Sequence, residues 1–364
     1  MTTLERPPVL DRRSLVTWVG AGLVVWGIIA LAPLISAAIG RQPTASLVAI
    51  LLWGLYGVAL GFLLYRLELF RRRPIPAILG ALAWGGIVVA GIGVSASPAG
   101  VEIVTALLPA GAAEWASSIS AGIVEEALKT LGIVALALLP GARLRTPADG
   151  IFYGLMVGLG FMVTESFLYT VQSASGGMEA VVLTFVLRGI IGGLWNHPTY
   201  SAIAGWGVGT VAESKGKRIL AGVGALLLAM ILHTFFDSPL FETDPLTSTI
   251  VKGIPALVIL LVLLRLARNK ERNSFESVAE ASVPEDLIAP DELPTLETFK
   301  ARRHAQKAAR KAHGRPYAHH LKRLQRAQVT LVTMTADHGP DHPWTIEAAE
   351  EVRAERAELA PLAR

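Results

Sequence analysis

Four short sets of reactive side chains stand inside strongly apolar sequence. Glu125 and Glu126 are followed by Lys129; Phe161 precedes Glu165; His197 precedes Ser201; His233 precedes Asp237. Spacings of three or four put the members of each set on one face of a helix, a turn apart. An ionisable group inside a bilayer is costly and marks a functional site by default. Two chemistries suit this collection. In the first, His197, His233 and one carboxylate (Glu126 or Glu165) ligate zinc, water takes the fourth position, and the remaining glutamate is the base. In the second there is no metal. A glutamate takes a proton from water with help from His197, while His233 and Asp237 stabilise the oxyanion. Both hydrolyse a peptide bond within the membrane. Other chemistries drop out. The chain has no cysteine, so thiol nucleophiles and cysteine-ligated zinc are excluded. It has neither a His-Glu-x-x-His helix nor a Gly-x-Ser-x-Gly elbow, which counts against the best-attested zinc helix and against a serine nucleophile.

These residues need helices to carry them. The 364 residues are 52% hydrophobic and 17% charged, with a mean hydropathy of +0.50, too apolar for an ordinary soluble enzyme. Eight apolar stretches are long enough to be spans: Ser14 to Gly40, Ala45 to Tyr65, Pro76 to Ser97, Ser118 to Leu139, Asp149 to Val171, Ala180 to Val211, Ile219 to Leu240 and Leu246 to Leu266. The first is too long for a cleaved signal and reads as an anchor. The sixth is too long for one span, so it reads as a short surface helix, a hinge at Gly192 and Gly193, and a span from about Trp195 to Val211. Lys and Arg gather after alternate spans: Arg6, Arg12 and Arg13 first, then Arg66 with Arg71 to Arg73, Arg143 with Arg145, Lys215 to Arg218, and Arg265 to Lys270. That distribution puts both termini on the cytoplasmic side of the membrane.

Orientation then gives depth. Glu125 and Glu126 fall ~11–12 Å below the outer end of their span and Glu165 ~9 Å, at 1.5 Å rise per residue. His197 and His233 fall in the same outer layer. Taken singly, each set has a structural explanation. Glu125 or Glu126 with Lys129 can be a salt bridge between helices; His197 can be a helix-end residue; His233 and Asp237 can face headgroups. Arg188 can snorkel or pair structurally, and Gly150, Gly154 and Gly158 read as close-packing contacts. Shared depth is what argues for one site.

After Leu266 the composition changes. Residues 276–297 hold seven acidic side chains and no Lys or Arg, while 300–326 hold ten basic ones and no Asp or Glu. This reads as a solvated tail, partly helical (a mixed, Glu-rich helix from Trp344 to Leu359) and partly disordered, whose basic block can lie on anionic lipid. With a net charge of +4 split across both halves, no nucleic-acid partner is indicated.

In order and spacing, the four sets resemble the motifs of the PrsW family of intramembrane proteases, a relative of the CAAX-processing membrane proteases. The resemblance covers about Ile119 to Pro239. It implies an all-helical membrane protease, usually described as a metalloprotease, which cleaves an anti-sigma factor on the extracytoplasmic side. One departure is Ser166, where the family commonly has asparagine after the glutamate. The expectation is therefore an all-α, polytopic membrane helix bundle of about eight transmembrane helices. Residues 1–117 carry the first three, 118–240 the catalytic helices, 241–267 the eighth, and 268–364 a charged cytoplasmic tail. Glu125, Glu126, Glu165, His197, His233 and Asp237 are the candidate catalytic residues, supported by Lys129, Phe161 and Ser201. Zinc, if used, sits on His197, His233 and Glu126. The substrate is a single-span membrane protein in the lipid bilayer. A non-catalytic scaffold and a proton-coupled transporter are the competing readings, the latter opposed by the lack of repeated halves.

Overall fold

A computed structural model describes residues 8–66, 73–193, 195–241 and 244–363. Arg6, Arg71 and Arg72, which contribute to the expected orientation, lie outside the described residues. Among the described residues there is no strand. The long helices are α1 (Leu15–Arg41), α2 (Pro43–Arg66), α3 (Ile75–Leu107), α4 (Ala116–Ala137) and α5 (Pro147–Gln172). The short α6 (Met178–Phe185) continues into a π-helical turn, Val186–Ile191. Then come α7 (His197–Glu213), α8 (Ile219–Asp237), α9 (Pro245–Ser282), α10 (Phe299–His338) and α11 (Pro343–Leu359).

The described residues up to Arg265 form one compact unit and those from Leu266 onward a second. Among the described residues six helices, α1, α2, α3, α5, α8 and α9, are long and apolar enough to cross a membrane. The other two expected spans correspond to α4 and α7. Helix α4 carries Glu125, Glu126 and Lys129 in its middle, and α7 is only 17 residues long. The site residues themselves dilute or shorten those two helices. Outward faces of α1 and α2 expose Trp18, Ile29, Leu47, Leu55 and Val58, as suits a multi-pass bundle solvated by lipid.

Helix α5 is the axis of this unit, buried along most of its length. Its start is fixed by a capping box: the Thr146 hydroxyl accepts from Asp149 N, and Asp149 Oδ2 accepts from Thr146 N at 2.9 Å. Arg73, just before α3, donates to Asp149 Oδ1 at 2.8 Å, and its guanidinium lies 4.8 Å from the Phe152 ring centre. Below that anchor, Gly150, Gly154 and Gly158 let α5 meet α7 backbone to backbone. A Cβ on each would collide with the carbonyl of Gly205, Ser201 and His197 respectively. Gly160 makes the same kind of approach to Leu82 of α3. The close-packing expectation for the 150, 154, 158 stripe is thus met, and the third glycine seats the start of α7.

The long sixth stretch breaks between Gly192 and Asn196, as the hinge reading requires. Pro198 follows His197 in the first turn of α7, where its missing N–H costs nothing.

The second unit contains the expected Glu-rich helix, as α11, and more order than its composition suggests: its described residues are largely helical and share an apolar core of Phe275, Leu287, Leu296, Leu324, Val332 and Val352, among others. Arg356 donates to Glu292 Oε1 at 3.0 Å and to the Leu287 carbonyl at 2.9 Å, tying α11 to the segment after α9. Gly314, with φ of +90°, kinks α10. Before the kink the helix is largely exposed and basic; after it Leu324, Leu331 and Val332 enter the core.

Candidate active site

Four helices deliver the four sets to one place. Glu125, Glu126 and Lys129 come from α4, Phe161 and Glu165 from α5, His197 from α7, and His233 and Asp237 from α8. Lys129 Nζ donates to Glu126 Oε1 at 2.9 Å, to Glu125 Oε2 at 3.0 Å and to His197 Nδ1 at 3.1 Å. His197 Nε2 lies 2.9 Å from Glu165 Oε2, and His233 Nδ1 lies 2.9 Å from Glu126 Oε1. The two imidazole centres are 4.9 Å apart. Phe161 packs edge-on to His197, and Tyr200 stacks on His233 with an interplanar angle of 17°.

Exposure divides the cluster into a floor and an open edge. The side chains of Glu126, Lys129 and His233 are 0% exposed, whereas those of Glu165, Arg188 and Asp237 are 20%, 30% and 40% exposed. Glu125 lies between, at 16%. Glu165, Arg188 and Asp237 are thus the most exposed members of the cluster.

Arg188, expected to snorkel or to pair structurally, takes the second course and does so within the cluster. From the π-helical turn after α6 it pairs with Glu165, donates through Nε to Ser166 Oγ at 3.2 Å, and rests 4.2 Å from the Tyr169 ring centre. It thus orients Glu165 in a chain that has serine where a side-chain amide is the common neighbour. An arginine inside an apolar stretch was the signal, since a buried cation needs an acid, but no fixed spacing tied it to Glu165. Ser201 moves the other way. It is buried one turn along α7 from His197, and its hydroxyl makes no hydrogen bond among the described residues.

The donors fit a divalent metal, with one change of ligand. Ligand atoms of Glu125, His197 and His233 lie within 4.8 Å of one another; Glu125 Oε2 is 3.9 Å from both His197 Nδ1 and His233 Nε2. Glu126, expected as the ligand, instead receives the Nδ1 proton of His233, the usual role of a carboxylate behind a metal-binding histidine. Glu165, the other carboxylate considered, is held by Arg188 and His197. Neighbours on a helix point about 100° apart, and here Glu125 Oε2 stands between the two imidazoles while Glu126 Oε1 meets the Nδ1 side of His233. His233 Nε2 is buried without a well-directed hydrogen bond, although Asp237 Oδ2 is 3.1 Å away. A lone pair held against two carboxylates calls for a proton or a cation between them. Charge agrees. Among the described residues Glu125, Glu126, Glu165 and Asp237 pair with the cations Lys129 and Arg188, which leaves two negative charges to be balanced when both imidazoles are neutral.

The comparisons with known proteins point the same way. The "Protease PrsW" of Shouchella clausii (strain KSM-K16) is 28% identical over 155 residues, covering 42% of this chain and 66% of that protein. The "Protease PrsW" of Bacillus subtilis (strain 168) is 28% identical over 151 residues, covering 41% and 64%. The chain thus matches slightly less than two thirds of the length of each relative. No solved structure matches the chain. The family model for "PrsW family intramembrane metalloprotease" matches residues 73–266, a region that contains every residue of the cluster. That span is more than half of the sequence, and on it the chain belongs to the PrsW family of intramembrane metalloproteases.

Proposed function

We propose that the chain is an intramembrane endopeptidase that hydrolyses a peptide bond of a single-span membrane protein at the extracytoplasmic side. An anti-sigma factor in stress signalling is the substrate class that the resemblance implies. The observation that carries this reading is the meeting of two imidazoles and four carboxylates in one cluster whose Glu165 and Asp237 remain partly exposed.

Glu125, His197 and His233 are the ligand set. A zinc ion held by them would supply Lewis acidity toward water and the scissile carbonyl. The chain's own residues do the rest. Glu126 holds the Nδ1 proton of His233 and so keeps Nε2 available. Arg188 and His197 orient Glu165, whose partly exposed carboxylate takes a proton from water and returns it to the leaving amine. Asp237, at the open edge, completes the polar wall beside His233. The protein sits in the plasma membrane with both termini cytoplasmic, on the Lys/Arg distribution. The basic block 300–326 rests on anionic lipid, and no nucleic acid takes part.

The experiment pairs metal analysis with cleavage. Wild type and His233→Ala are purified, reconstituted with a single-span substrate, and assayed for zinc and product. Stoichiometric zinc and cleavage in wild type, both lost in the variant, are expected. Undiminished cleavage by His233→Ala would remove the proposed site. Cleavage by metal-free wild type would select glutamate chemistry instead, and transport without cleavage would select the proton-coupled carrier.

A further inference from the structure

Lys129 is wholly buried, and its ammonium is surrounded. Beside its three hydrogen bonds, to Glu126, Glu125 and His197, it stands 3.9 Å from the centre of the Phe161 ring. An ammonium only donates, so His197 Nδ1 is the acceptor, and His197 Nε2 carries the proton given to Glu165. An imidazole nitrogen has a single lone pair. The one on His197 Nδ1 goes either to Lys129 or to a metal. Glu125 Oε2 is claimed twice as well, at 3.0 Å by Lys129 and as a member of the ligand set.

We infer that Lys129 is an internal cation that competes with the divalent metal for His197 and Glu125. It therefore sets metal affinity below what the three ligands would give alone. The inference rests on the metal reading above. When a metal takes those two atoms, Glu126 and the Phe161 face still hold the ammonium, so Lys129 need not leave the cluster. A merely structural lysine has the opposite consequence: its removal disorders the ligands and weakens the site.

Zinc itself is the probe. Full-length wild type, Lys129→Met and Lys129→Gln are stripped of metal in detergent and titrated with zinc against a chromophoric chelator. The glutamine variant keeps a donor for Glu126 should the methionine variant fail to fold. Parallel cobalt titrations read the ligand field through visible absorption. Both variants are expected to bind zinc at least ~10-fold more tightly, because a like charge has been removed from beside the ion in a low-dielectric site. Their cobalt spectra should keep the wild-type shape. Unchanged or weaker zinc binding in the variants, with wild type binding normally, overturns the competition and leaves the metal site standing. Absence of zinc binding in all three proteins overturns both.

Discussion

Oε1 of Glu126 and Nδ1 of His233 are 2.9 Å apart, and neither side chain reaches solvent. That hydrogen bond separates the two adjacent glutamates of α4 by role. Glu126 orients an imidazole, while Glu125 offers its own oxygen to the same space. Glu125→Gln is therefore expected to abolish tight zinc binding, and Glu126→Gln to weaken it by only ~10–100-fold, as loss of an orienting carboxylate does. Chelator competition on the two purified variants measures this. Equal losses, or the reverse order, would return Glu126 to the ligand set.

Arg188 fixes Glu165 and Ser166 together. Lysine cannot reproduce the two-point grip of a guanidinium. Arg188→Lys and Arg188→Gln are both expected to lower kcat by up to ~100-fold, the scale of a small misplacement of a reacting group, with little change in KM or Tm. Adding Ser166→Asn should restore part of the rate, because an amide beside Glu165 can take over its orientation. Wild-type kcat in both single variants would leave Arg188 a surface-seeking side chain with no part in the reaction.

Gly158 seats the first turn of α7 against α5. Its replacement by alanine places a methyl on the His197 carbonyl, backbone against backbone, where no side chain can yield. A cost of about 1–3 kcal/mol is expected for such overpacking, visible as a lower Tm in detergent. Gly224→Ala on α8, where nothing lies within 4 Å of the added carbon, serves as the silent comparison. Equal behaviour of the two variants would show that α5 and α7 do not pack this closely.

The Arg73–Asp149 pair is buried on both sides and closes the start of α5. Arg73→Met leaves a buried carboxylate without its main cation, a loss of about 3–5 kcal/mol. Arg73→Met with Asp149→Asn should recover much of it, since the amide carries no charge. Thermal unfolding of the four proteins in a double-mutant cycle gives the coupling. Additive losses would mean that the two residues act independently.

Much of this molecule is legible one helix at a time. The apolar stretches, the three- and four-residue spacings and the small-residue stripe at 150, 154 and 158 are local patterns, and a helix turns them into faces without help from the rest of the chain. Even the break before α7 shows in Gly192, Gly193 and Pro198. The core of the second unit was also present, as Phe275, Ala279 and Val283 at intervals of four, but the surrounding charge masked it in a reading based on composition.

What the amino-acid order determined by itself was which helices form and which side chains each presents on one face. Only the tertiary structure decided that Glu125 stands near both imidazoles while Glu126 bonds to that of His233 alone, that Arg188 reaches Glu165, and that Ser201 makes no hydrogen bond to the cluster among the described residues. The reason is physical. Those choices depend on how far each helix is rotated and shifted against its neighbours, and that follows from packing between segments distant in sequence, which no spacing along a single helix records.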